Sequence, residues 1–161
     1  MSKIEMEKGR VMLRTAEAKD IKSMIVLLGE LERPLPKDKY ENSKFQKLIN
    51  GYIQSDSNNG NLGIILATIN SRIVGLVSFV LLERLNQSSR ELWIPDLVVS
   101  GKYRKRGIGK LLVKRCESIA KRKKCYRIRL ESRKDRTDSH KFYTKMGFQQ
   151  IALVFEKRLK V

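Results

Sequence analysis

The stretch Asp96-Leu97-Val98-Val99-Ser100-Gly101-Lys102-Tyr103-Arg104-Lys105-Arg106-Gly107-Ile108-Gly109-Lys110-Leu111-Leu112 decides the fold. An apolar strand runs into a basic, glycine-punctuated turn. The turn opens an amphipathic helix whose apolar face is Ile108, Leu111, Leu112, Cys116, Ile119 and Ala120. The first turn of a helix carries backbone N–H groups without an intrahelical acceptor, at the positive end of the macrodipole. Gly107 and Gly109 let an anion approach that backbone, and Arg104, Lys105 and Arg106 add charge around it. The physical reading is a pyrophosphate cradle over residues 104–110. It is neither a Rossmann fingerprint nor a Walker A loop, because both glycine spacings are missing. Alone, the turn fits a tight strand-to-helix connection with a solvated basic flank equally well.

Upstream, residues 92–99 read as a strand in which Pro95, lacking a ladder donor, predicts a bulge or break. Residues 62–69 and 73–82 read as strands joined by a hairpin turn, Asn70-Ser71-Arg72. A turn-rich loop over residues 55–61 precedes them. Ser43-x-x-Gln46 has the capping-box pattern for a helix with Phe45, Leu48, Ile49, Tyr52 and Ile53 on its apolar face. An earlier helix is N-capped by Asp20, carries the stripe Ile21, Met24, Ile25, Leu28 and Leu31, and is stopped by Pro34 and Pro36. Residues 11–14 form a short first strand. Downstream come a half-buried strand at 126–130, a polar loop, a short helix at about 138–146 and a final strand within 148–159. This order predicts a mixed-sheet α/β layer fold in one domain over residues 1–161, with residues 1–9 as a flexible lead.

Charge is the unusual property of the composition. Thirty-five Lys and Arg against seventeen Asp and Glu give +18 and a pI near 10.2 in 161 residues. Such an excess suits a nucleic-acid surface, a site for a polyanionic small molecule, or a generally basic solvated face. The run Lys121-Arg122-Lys123-Lys124 reads as a solvated helix end favoured by the helix dipole. Cys116 and Cys125 lack metal-type spacing, so no metal site is expected. No apolar run has the length to span a bilayer, and the N-terminus carries acids without an apolar core. A reduced, cytoplasmic setting is the expectation.

The second motif is His140-Lys141-Phe142-Tyr143-Thr144-Lys145-Met146-Gly147-Phe148. Gly147 suits a helix C′ residue, with Phe148 packing back as the next segment begins. Taken alone, Tyr143 reads best as a core tyrosine at helical spacing from Met146. In combination, strand, Arg-x-x-Gly-x-Gly, helix, strand and Phe-Tyr-x-x-x-Gly-Phe resemble the GCN5-related N-acetyltransferase (GNAT) superfamily. The resemblance covers nearly the whole chain, with its specific signal in residues 92–148. Ser139-His140-Lys141-Phe142-Tyr143 is similar to a branch with Ala-His-x-Phe-Tyr in that helix. Residues 96–112 also resemble glucosamine-6-phosphate acetyltransferases, although those enzymes have Glu where this chain has Pro95.

The resemblance implies a mostly antiparallel mixed sheet with helices on both faces and acetyl-CoA as acyl donor. The backbone of Leu97, Val98 and Val99 would pair with the pantetheine arm, and Arg104, Lys105, Arg106, Gly107, Ile108, Gly109 and Lys110 would hold the pyrophosphate. Tyr143 would protonate the departing thiolate as general acid, and a backbone N–H near Val98 or Val99 would stabilise the oxyanion. His140 would help position the cofactor or relay a proton, or else be a partly exposed structural residue of the branch, the simpler reading. The reaction is direct attack by an amine, without metal or covalent enzyme intermediate. Asp96 and Glu91 are the candidates for general base; each reads more simply as a strand-end carboxylate paired with nearby arginines. Trp93 lines an acceptor pocket or packs on the sheet.

Two further readings compete: a basic nucleic-acid-binding module and a non-catalytic acyl-CoA sensor on the same fold. The acceptor amine is not fixed by the motifs. The charge favours acidic metabolites, acidic peptides or a ribosome-associated substrate, unless Glu30, Glu32, Glu83 and Glu91 build a negative pocket. An anionic partner and a homodimer remain open; a membrane is not expected.

Overall fold

The computed structural model describes residues 9–31, 43–58 and 60–159. The chain falls into two compact units, Met1–Arg129 and Leu130–Val161, and each is described by itself. The expectations for residues 1–8, Glu32, Pro34 and Pro36 lie outside the described residues.

The first unit contains β1 (Met12–Thr15), α1 (Ile21–Leu28), α2 (Ser43–Asn58), β2 (Leu62–Ile69), β3 (Arg72–Arg84), β4 (Ser89–Ile94), β5 (Leu97–Val99) and α3 (Ile108–Arg122). β6 (Cys125–Leu130) closes it. The sheet runs β1-β2-β3-β4-β6, and β5 pairs with β3 beyond the end of β4. The β1–β2, β2–β3, β3–β4 and β3–β5 pairs are antiparallel. The β2–β3 hairpin turns on Asn70 and Ser71 alone, both with positive φ, as a tight two-residue turn requires. Arg72 therefore belongs to the strand rather than the turn, and β3 extends to Arg84 because β4 offers it a full ladder partner.

Successive strand residues face opposite sides, and the two sides carry different helices. Leu76 packs in a cluster with Met24 and Leu27 of α1 and Ile49 of α2. On the other side a Cβ at Gly75 would meet Ile108 Cγ2 at 3.1 Å and Leu112 Cδ1 at 3.2 Å, so the absent side chain lets α3 lie close to the sheet. α3 buries Ile108, Leu112, Val113, Cys116, Ile119 and Ala120. Leu111, assigned to that face from the sequence, is exposed, and Val113 takes the position because the contact stripe is rotated toward it. Leu48 is likewise exposed on α2, where Ile49 supplies the buried contact.

Helix ends differ from the sequence reading in instructive ways. Asp20 does not cap α1 through its side chain. Its carboxylate instead takes a bidentate pair from Arg14, at 2.6 and 2.7 Å, and the Glu17 N–H at 2.9 Å. Hydrogen bonding to Arg14 holds it below the ordinary aspartate range. α1 ends at Leu28, leaving Leu31 in the following turn, where it still packs against the core. Much of the expected loop at 55–61 is the last turn of α2. Gly60, at φ +60°, closes that helix by donating its N–H to the Ser55 carbonyl.

The second unit holds α4 (Thr137–Lys145), with Gly147 at φ +87° just beyond it. The expected final strand within 148–159 is not formed. That segment has no ladder partner among the described residues, and Ile151, Leu153, Val154, Phe155 and Leu159 are exposed. Apolar patterning makes a segment competent to pair; only a neighbouring edge makes it a strand.

Candidate functional site

The Pro95 interruption is a one-residue bulge. Val80 pairs with Trp93 and Val77 with Leu97, so Ser78 and Phe79 face three residues of the other strand, Ile94, Pro95 and Asp96. Ser78 fixes the kink: its N–H donates to the Asp96 carbonyl, its Oγ donates to Asp96 Oδ2 at 2.6 Å, and the Asp96 N–H donates back to Oγ. The charge of Asp96 also reaches Tyr52 of α2, whose phenol is raised mainly by burial and then by that carboxylate. Nothing in the sequence marked Ser78, and Tyr52 read only as part of the apolar face of its helix. Both become neighbours of Asp96 only through strand pairing and helix packing.

Beyond the bulge, Leu97, Val98 and Val99 form β5. Its only ladder partner among the described residues is β3, and the backbone N–H groups of Leu97 and Val99 point to its other edge. The chain then makes a 3₁₀ turn, Gly101–Tyr103, and enters the basic turn. Glu30 anchors this approach by accepting hydrogen bonds from Ser100 Oγ at 3.0 Å and the Gly101 N–H at 2.8 Å. Arg104 donates from Nε to the Val99 carbonyl and lies 3.7 Å from Glu30. The Arg106 guanidinium lies 5.2 Å from the centre of the buried Tyr103 ring. Lys105 (φ +61°) and Gly107 (φ +78°) both take left-handed backbone, and a Cβ on Gly107 would meet nothing within 4 Å. The turn therefore opens the N-terminus of α3 to its surroundings. Ile108 contributes backbone only, because its side chain is buried. Gly109 and Lys110 complete the first helical turn.

Glu91 lies apart from that turn, fully buried on β4. Its Oε2 accepts from Arg127 Nε at 2.7 Å and NH2 at 2.6 Å; its Oε1 accepts from Arg129 Nε at 3.2 Å and lies 3.9 Å from Arg84. Burial pushes this carboxyl up, but the Arg127 hydrogen bond and the charges of Arg127, Arg129 and Arg84 outweigh it and hold the group below the ordinary range. Trp93 follows on the same sheet face, with the Arg129 guanidinium 5.7 Å from its ring centre. The negative pocket considered from the sequence does not form from the described acids: Glu30 binds the approach loop, Glu83 pairs with Arg90, and Glu91 is enclosed by guanidiniums.

In the second unit Tyr143 sits on α4, edge-on to Phe142 and to Phe148, with centroids 5.2 and 5.8 Å away. Burial raises its phenol above the usual value, with the charge of Arg136 pulling the other way. His140 donates from Nε2 to the Arg133 carbonyl at 2.9 Å, which ties the polar loop to the helix. Among the described residues no group of three or more His, Cys, Asp or Glu is placed to hold a metal ion, and no helix is long and apolar enough to cross a membrane.

The described residues thus build a bulged, mostly antiparallel sheet with helices on both faces and a glycine-opened helix start after the bulge. The sequence model of the acetyltransferase (GNAT) family matches residues 26–148, and the chain belongs to that family of enzymes. The glucosamine 6-phosphate N-acetyltransferase of Trypanosoma brucei brucei is 29% identical over 142 residues, covering 85% of this chain and 88% of the relative. Two solved structures share the fold. A transcriptional regulator from Bacillus halodurans C-125 superposes with TM-score 0.80 at 24% identity, over 93% of this chain and all of that one. The glucosamine-6-phosphate N-acetyltransferase from Arabidopsis thaliana superposes with TM-score 0.77 at 19% identity, over 94% of this chain and 99% of that one.

Proposed function

We propose that this chain transfers the acetyl group of acetyl-CoA to an amine of a small molecule or peptide by direct attack. The observation that carries the reading is the start of α3, where left-handed Lys105 and Gly107 open first-turn N–H groups beside a basic run. The residues present fit the donor: those N–H groups, with Arg104, Lys105, Arg106 and Lys110, suit a pyrophosphate. The edge of β5 (Leu97, Val98 and Val99) turned away from β3 suits the amide-bearing pantetheine arm. Acetyl-CoA supplies the activated acyl group and a thiolate leaving group.

The rest is done by the chain. The backbone N–H of Val99, on the edge of β5 turned away from β3, stabilises negative charge on the thioester oxygen. Tyr143 gives its proton to the thiolate; a phenol above its usual value stays protonated through the neutral range, the state a donor needs. Asp96 takes the amine's proton, directly or through water, with Ser78 fixing the carboxylate by its hydrogen bond to Oδ2. Glu91 is poorly suited to that task, because its enclosing guanidiniums lower its basicity. His140 orients the loop before α4 and thereby the Tyr143 helix.

Calorimetry and a thiol-release assay on an amine panel test this. Acetyl-CoA binds at micromolar protein, and Tyr143→Phe lowers turnover by about 100-fold while leaving that affinity in place. No binding would remove the donor assignment; unchanged turnover would remove the general acid.

A further inference from the structure

We infer that Arg84, Arg127 and Arg129 form an anion subsite that selects amine acceptors carrying a phosphate or carboxylate group. The inference rests on the acetyltransferase reading and names its substrate class. The three arginines come from β3 and β6 and converge on one buried carboxylate, Glu91. At Glu91 three guanidinium groups meet one carboxylate, whose lone pairs cannot engage all of their N–H donors. Their side chains are 33–41% exposed, so the cluster is fixed from beneath by Glu91 and reached by solvent from above. Planar guanidiniums held this way are preorganised for bidentate contact with phosphate or carboxylate oxygens.

A second observation marks the same place. The indole Nε1 of Trp93, beneath Arg129, is buried without a hydrogen-bond partner among the described residues. Buried donors are rarely left unmet. The location also suits an acceptor. Arg84, Ser78 and Leu76 share one face of β3 by alternation, and Ser78 holds Asp96 there. Leu82, the ladder partner of Glu91, lies four residues from Ser78, roughly 13 Å at ~3.3 Å per residue. With arginine side chains reaching inward, that separation suits a small molecule with its amine at Asp96 and its anion at the cluster.

Trp93 is the only tryptophan, so its fluorescence reports on the cluster. Titration with inorganic phosphate at constant ionic strength gives a saturable change that chloride does not reproduce. Arg84→Gln, the mildest change because Arg84 is the most distant of the three from Glu91, weakens that binding at least tenfold; Arg129→Lys does the same with charge retained. A featureless titration, or one unaltered in both variants, overturns the subsite and leaves the arginines as charge compensation for Glu91. The second arm compares acceptor pairs: glucosamine 6-phosphate with glucosamine, O-phosphoethanolamine with ethanolamine, and glycine with glycinamide. The anionic member of a pair has at least a tenfold lower KM, the phosphate and carboxylate pairs separate the two sources, and Arg84→Gln removes the preference without altering the KM for acetyl-CoA. Equal KM values within every pair overturn the inference while the transferase stands. Absence of any transfer strikes the transferase reading, and the phosphate titration then decides the subsite alone.

Discussion

At the start of α3 the basic residues are contiguous in sequence and exposed, whereas around Glu91 they come from separate strands and converge on a buried point. Their division of labour differs accordingly. At the turn, Arg104 is engaged with the Val99 carbonyl and Glu30, and Arg106 lies over Tyr103. The backbone of residues 105–110 is therefore the main donor surface there. At Glu91 the backbone is occupied by the sheet ladder and the side chains present the charge. A run of arginines in sequence thus builds a flank, while scattered arginines build a focus.

Replacing the focal carboxylate gives the largest expected effect. Glu91→Leu removes the buried carboxylate that three guanidiniums share and lowers stability by about 3–5 kcal/mol, read by chemical denaturation. A loss below ~1 kcal/mol would erase the distinction between the two regions. At the turn the corresponding change is milder for the fold. Gly107→Ala has room for its methyl group but must hold φ near +78°, at a cost of about 1 kcal/mol. Its acetyl-CoA affinity falls about tenfold, a change equivalent to ~1.4 kcal/mol.

Acidification separates the regions further. Glu91 and Asp20 both titrate below their ordinary values in the folded protein. Their stabilisation is complete above the unfolded values, 4.5 and 3.8, and is lost as pH falls through the depressed folded ones. Denaturation midpoints therefore fall on acidification below about 4.5, and Glu91→Gln shows a shallower fall than the wild type. The smallest effect concerns Cys116 on α3, fully buried with its thiol pushed up to about 12. Thiol reagents label it only after unfolding, so it adds no background to a thiol-release assay; prompt labelling of the native protein would show that α3 opens locally.

Local signals carried much of this architecture. The hairpin at Asn70-Ser71, the break at Pro95 and the glycine turn before α3 are legible because each depends on backbone properties of the residues themselves. Long-range pairing was not. Ser78 meets Asp96 across a ladder, Glu30 reaches Ser100 from another element, and the arginines find Glu91 from separate strands. Composition records such residues as polar without recording where they meet. The pattern in residues 148–159 fails for the opposite reason, since alternation expresses a capacity to pair and the described residues offer no ladder there.

The bulge at Pro95 works as a change of reading frame in space. Before it, the odd positions Glu91 and Trp93 lie on the face shared with Leu82 and Val80; after it, the even position Val98 lies there, opposite Leu76. One extra residue thus puts the two halves of the ribbon in opposite phase. Deleting Pro95 would leave Ile94 and Asp96 opposite Phe79 and Ser78, removing the bulge while Leu97 and Val98 keep Val77 and Leu76 as partners.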